Sequence, residues 1–330
     1  MKPVNRYLLK LSAFLLLIVA LQGCMSKAGS WKNDQIEAGK RADFHDLNNH
    51  VLADLKANDL RHLNNYMSKD LHENTYTERQ VEHISNSLSD NTFTLLDEFY
   101  VVNKFRDFDT VKATGSGINC YGLVYPGTER EMYMAFFAPK ASANKYLISL
   151  IYAKYNYGWK LSELDLAPYT INGQTATELF KYAKDEYNKK HLIEAYNASS
   201  LAISCLKPSE VWEYQNENDV HDFYSKLIEE ANNQYKFPFT INQVVTKPLL
   251  IKVYNQTNDE GSFPIVYYIS KIKLADTTAI KKENIEIRKA VNTLMPGLNQ
   301  HKKYVLYSAF NQLSTGKKTV EHFDMTDKLQ

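Results

Sequence analysis

The hydrophobic pattern changes period near residue 93, and that change limits the folds open to this chain. Upstream, Phe44, Leu47, Val51 and Leu55 recur at helical spacing, with Leu52 widening the stripe, as one buried helix face requires. Asn58-Asp59 interrupts the stripe, and Leu60, Leu63 and Met67 begin a second short helix. Thr77 opens a third helix, with Gln80 three residues on as a capping box and Val81, Ile84 and Leu88 on one face. Downstream, apolar and aromatic runs at 93–103, 118–125, 131–138, 145–155 and 159–166 are separated by turn signals such as Gly115-Ser116-Gly117, Pro126-Gly127 and Asn156-Tyr157-Gly158. Helices followed by an antiparallel meander specify an α+β fold in which one sheet face packs against the helices.

Residues 167–174 read as a linker, after which Thr175 and Glu178 form a second capping box. A helical hairpin follows, turning at Asn188-Lys189-Lys190 and ending at Pro208, and a further helix carries Val220, Phe223, Leu227 and Ala231. The last part reads as strands at 244–254 and 263–274 joined by a turn, with Pro248 marking an edge or irregular strand. A helix through Ile280, Ile287, Val291 and Leu294 stops at Met295-Pro296-Gly297, and 303–310 is a third strand. The polar stretch 314–330 is expected to fray.

The N-terminus carries Lys2, Arg6 and Lys10, no acid, and then the apolar run Leu11 to Leu21. That run has the length of an export signal and falls short of the about 20 residues that span a bilayer. Leu21-Gln22-Gly23-Cys24 resembles the lipobox of bacterial lipoproteins, departing from it at Gln22, where a small residue is usual. The resemblance implies cleavage before Cys24 and acylation of Cys24, palmitate included, giving a multi-chain anchor of the kind that holds stably in a membrane. Met25 in place of Asp, by the sorting habit of Gram-negative lipoproteins, implies the outer membrane of the cell envelope and leaves the leaflet open. The organisation expected is then a signal at 1–23, a tether at 24–40, an α+β domain at 41–170, a helical segment at 171–239 and a small α+β domain at 240–330.

Two further resemblances concern the folded part. Short helices followed by a curved meander, closing with the hairpin Tyr146–Leu161 and its Gly158-Trp159-Lys160 turn, resemble the nuclear transport factor 2-like, or cystatin-like, cone superfamily. That implies a cone whose cavity lies between helices and sheet, and it places Trp159 in the buried end of the sheet. The hairpin with Ala183, Ala195, Ala202 and Pro208 resembles one tetratricopeptide unit; no second copy is present, and a plain helical hairpin is the weightier reading.

Removing 1–23 takes three of the 39 basic residues and none of the 38 acids, leaving 36 against 38 and a formal charge of −2. Without a concentrated basic surface, nucleic acid is excluded as the main partner. Cys120 and Cys205 remain beside Cys24; export would permit pairing, but their placement in different units favours two separate thiols. The sequence holds no Walker loop, no completed dinucleotide fingerprint after Gly115 and Gly117, no paired Cys-x-x-Cys and no Gly-x-Ser-x-Gly elbow. His72-Glu73 lacks the second histidine of a zincin helix. His45 and His50, five residues apart on a helix, point about 140° apart and do not share an ion. No cofactor or metal is expected.

What remains as candidate site is a possible lining of the cone cavity. His62 is the acid–base candidate, weighed against a surface histidine near a helix end, and Tyr121, Tyr133 and Tyr152 are candidates for the concave sheet face. The tyrosines could equally be core aromatics, because a one-residue register error exchanges the faces. Asp97 and Glu98 interrupt the run Leu95 to Val102, so one of them faces inward unless a bulge turns both to solvent. The leading functional expectation is a lipid-anchored, non-catalytic binding or scaffold module with a protein, peptide or glycan partner in the envelope. The alternatives are an enzyme or small-molecule carrier using the cavity, favoured by a buried carboxylate or histidine in a deep pocket, and a peptide-binding assembly factor using the helical hairpin.

Overall fold

The computed structural model describes residues 27–112, 117–313, 316 and 320–329, and the fold is α+β. The lipobox and Cys24 lie outside the described residues. The N-terminal helices are α1 (Ala38–Lys56), α2 (Leu60–Leu63), α3 (Lys69–Glu73) and α4 (Thr77–Asp90). Glu37 caps α1 by accepting from the amides of Gly39 and Lys40, and Asp59 and Ser68 cap α2 and α3. Between α1 and α2, Asn58 takes a left-handed φ of 54°, a conformation Asn tolerates better than most residues. The expected box at Thr77 and Gln80 does not form. Tyr76 occupies the cap position, and the buried Thr77 hydroxyl donates to the carbonyl of Leu71 at 2.6 Å, tying α4 to the end of α3.

The strands are β1 (Gly29–Lys32), β2 (Phe93–Val102), β3 (Phe108–Val111), β4 (Tyr121–Pro126), β5 (Glu131–Pro139), β6 (Lys145–Tyr155) and β7 (Gly158–Thr170). Five of them form an antiparallel sheet in the order β1-β2-β5-β6-β7. The stretch expected as a free tether is therefore structured from Gly29: β1 pairs along β2, Trp31 opposite Tyr100, and Ile36 is buried.

Both faces of this sheet are covered, which explains why β5 is apolar at nearly every position rather than alternating. Tyr133, Ala135, Ile148, Leu150 and Tyr152 face the helical layer, among Phe44, Val51, Leu55, Leu63, Ile84 and Leu88. Met132, Met134, Phe136, Leu147 and Ile151 face the other way. There they meet a helical hairpin, α5 (Ala176–Asn188) and α6 (Leu192–Ser204), and a small sheet of β3, β4 and β8 (Trp212–Tyr214). Thr175 and Glu178 form the expected capping box. The hairpin is thus half of a core that begins in the meander, and Leu123 pairs with Trp212 across the boundary drawn from sequence at residue 170. Cys205 is buried in this core and Cys120 is half-exposed, and the two are not joined.

The remaining elements are α7 (Glu217–Gln234), β9 (Phe239–Thr240), β10 (Leu249–Asn258), β11 (Gly261–Ile269), α8 (Thr277–Leu294), β12 (Tyr304–Phe310) and β13 (His322–Lys328). They build a second five-stranded sheet, β13-β12-β11-β10-β9, in which β11 and β12 are parallel and connected through α8. Val266, Tyr268 and Tyr307 bury one face against α7 and α8. The tail expected to fray contains β13, which pairs with β12 along its length. As an edge strand it needs little apolar content, and Phe323 and Met325 supply it.

Candidate functional site

One irregularity in β2 arranges the charged groups nearest the expected cavity. The pairing of β2 with β5 shifts between Leu95 and Asp97, so Leu96 is the extra residue of a bulge. Leu95 and Glu98 therefore lie on the helical face, opposite Phe137 and Ala135, whereas Asp97 lies on the other face, opposite Phe136. Asn33, itself at a left-handed φ of 50°, holds the bulge: its amide nitrogen donates to Asp97 at 2.8 Å and its oxygen accepts from the Glu98 amide at 2.9 Å.

Glu98 is 0% exposed. Arg41 Nε donates to Oε1, Tyr133 Oη donates to Oε2 at 2.7 Å, and His45 Nε2 lies 3.0 and 3.1 Å from the two oxygens. Arg41, His45 and Asn48 stand at helical spacing on α1, and Asn48 donates to the Tyr133 hydroxyl at 2.8 Å. Burial, then the neighbouring Glu98, keeps the Tyr133 hydroxyl protonated well above the ordinary tyrosine range. Oε1 thus has Arg41 and His45 as partners, and Oε2 has Tyr133 and His45. A buried carboxylate held by a guanidinium, a hydroxyl and an imidazole is a compensated anion.

Aromatic rings pack the layer beside it. Phe44 stacks on Tyr133 with ring centroids 4.0 Å apart, and Trp159 meets Phe44 edge-on at 4.9 Å. Trp159 is half-buried at the rim rather than enclosed. A groove of about 420 Å³ runs outside these rings past Lys40, Glu131 and Lys154. Three of its charges are linked: Lys154 binds Glu131 at 2.8 Å, and Tyr100, which accepts from Lys40 at 2.8 Å, donates to Glu131 at 2.5 Å. Burial alone would raise the Glu131 carboxyl, but the bonds from Lys154 and Tyr100, and the charge of Lys40, hold it below the usual range. Among the described residues, no three His, Cys, Asp or Glu side chains are placed to hold a metal ion.

The four residues singled out from sequence are not brought together. Tyr133 and Tyr152 are neighbours on the helical face, rings 5.8 Å apart, and the Tyr152 hydroxyl has no hydrogen-bond partner. Tyr121 lies across the sheet, where it donates to Asp97, stacks on Trp212 at 3.3 Å and has its hydroxyl pKa pushed up by burial and then by Asp97. Lys32 completes that group, 2.7 Å from Asp97. His62 is 67% exposed, 3.4 Å from Asp54.

Compared with known proteins, the chain matches no family model, no curated protein and no solved structure significantly. What sequence reasoning missed is Arg41 and the partnership of His45. The signal was present: Arg41, His45 and Asn48 form a polar row beside the apolar stripe of α1, at the spacing that lets three side chains share one target.

Proposed function

We propose that this chain is a lipid-anchored envelope lipoprotein whose folded part is a non-catalytic binding or scaffold module. The anchor rests on the basic, apolar and Leu21–Cys24 segments of the N-terminus. The observation that carries the non-catalytic reading is the filled layer between helices and sheet, where Phe44 lies on Tyr133 and Glu98 is satisfied on both oxygens. The likeness to cone-fold proteins stands as part of this proposal and rests on the sequence pattern. The partner class that suits an anchored module of this composition is a protein, peptide or glycan of the envelope, and the outer membrane is the proposed location.

A second reading has one observation in its favour. His45 is 41% exposed and its Nε2 is held by the buried Glu98, the arrangement by which a carboxylate orients an imidazole for acid–base work. The experiment that separates the two is allelic replacement in a strain lacking the gene. The Cys24→Ser chain is expected to lose palmitate labelling and to leave the membrane in a carbonate wash. The His45→Ala chain is expected to stay anchored and to complement the deletion strain's phenotype as well as the wild-type chain does. A Cys24→Ser chain retained in the membrane would remove the anchor. A folded, anchored His45→Ala chain that fails to complement would put the enzyme in first place.

A further inference from the structure

Around the β7 edge of the first sheet, lined by Leu71 and Leu164 from the helical side and by residues of the face remote from α1, lies a cleft of about 360 Å³, a size typical of small-molecule sites. The register sets Ser149 opposite Asp165 and Ile151 opposite Glu163, so all four share that face. A bulge at Ser162, whose hydroxyl donates to the Ile151 carbonyl at 3.0 Å, shapes the strand there. Backbone bonds from Ser68 to Leu161 and from Leu161 to Tyr66, 2.8 and 2.7 Å, fasten the start of α3 to the free edge of β7 and bring Asp70 to the rim. Glu210, between α6 and β8, closes the opposite side.

Two independent observations point to a ligand. The first is uncompensated charge: Asp70, Glu163, Asp165 and Glu210 line the cleft, no Lys, Arg or His does, and none of the four forms an ion pair with a described residue. The nearest cations in sequence are turned elsewhere, Lys69 toward Glu73 at 3.9 Å and Lys207 toward Glu217 at 2.7 Å. The second is Ser149, which is 1% exposed, lines the cleft and has a hydroxyl with no hydrogen-bond partner. A buried hydroxyl without a partner is costly, and this one belongs to a residue that lines the cleft. Burial, followed by repulsion from Glu210 and Asp165, raises the Glu163 carboxyl; burial, opposed by the Leu166 amide and assisted by Glu210, raises that of Asp165. Both carboxylates would gain from a bound cation.

We propose that this cleft binds a linear polyamine, its ammonium groups on the carboxylates and the Ser149 hydroxyl, its methylenes on Leu71, Ile151 and Leu164. The carboxylates are not convergent enough for one metal ion, so an extended cation with separated charges fits where a point charge does not. Leu71, Ile151 and Leu164 line the same cleft as the acids and supply the apolar surface that an alkyl spacer requires. This goes beyond the anchored-module reading and holds whether or not Cys24 is acylated.

The test is isothermal titration calorimetry on the full chain in non-ionic detergent, with spermidine as the probe and Mg²⁺ and an oligolysine peptide as comparators. Spermidine should bind saturably to one site, with Mg²⁺ a weak competitor. Glu163→Gln should weaken binding about tenfold or more, and Ser149→Ala about fivefold. Neither variant removes a hydrogen bond that the folded chain makes, and melting temperatures no lower than that of wild type would establish that the losses are local. The proposal is overturned by absence of spermidine binding in the millimolar range, by Mg²⁺ displacing spermidine at equal concentration, by tight oligolysine binding without spermidine binding, or by both variants binding as wild type.

Discussion

Replacing Arg41 by Met would strip the guanidinium from a carboxylate that has no access to water. Breaking a buried pair by removing one partner costs about 3–5 kcal/mol. Arg41 is itself partly exposed, and His45 and Tyr133 remain on Glu98, so the loss should fall just below that range, at about 2–3 kcal/mol. The second contact of Arg41, with the exposed Asp34, is screened by solvent and adds little. Glu98→Leu alone removes the charge but leaves the Tyr133 proton without an acceptor, a loss of about 1–2 kcal/mol. The double variant should be no less stable than Glu98→Leu, because Arg41 then has no buried charge to neutralise. Urea unfolding followed by tryptophan fluorescence measures all three, and the non-additivity is the quantity of interest. An Arg41→Met chain within about 0.5 kcal/mol of wild type, or strictly additive losses, would refute the account of Glu98 as an anion held by Arg41.

Two further outcomes follow from burial and charge. Glu163 has its carboxyl pKa raised in the folded chain by burial, then by Glu210 and Asp165, so folding is penalised once the pH passes the ordinary value of 4.5, and the penalty is complete above the raised value. Glu163→Gln should therefore raise the melting temperature at neutral pH, with the gain vanishing in acid below that ordinary value; a gain constant across the range would show that charge is not its cause. Trp159→Ala should cost about 2 kcal/mol, below the about 3–5 of a fully enclosed aromatic, because the indole is only half-buried and meets Phe44 and Tyr100 edge-on. A melting curve like that of wild type would mean the ring contributes nothing to the rim.

Much of the architecture is local and could be read residue by residue. The spacing of Phe44, Val51 and Leu55 makes a helix, the alternation from Phe93 onward makes strands, and Thr175 with Glu178 starts a helix at the expected residue. Signals of this kind act over a few residues, so they survive without knowledge of what packs where. The site depended on parity and on distance. Whether Glu98 is inside or outside is decided by one extra residue, Leu96, and a bulge carries no composition of its own. Arg41 reaches Glu98 across 57 positions, and Asp70, Ser149, Glu163 and Glu210 meet only because the edge of β7 is fastened to α3 and overhung by the chain after α6. The sequence by itself determined the main helices and the strands of the meander, though not β1 or β13, because backbone propensity and side-chain period are local. Only the tertiary structure decided which face of each strand is buried and which charges are left without partners, because register and packing are properties of pairs of elements rather than of either one.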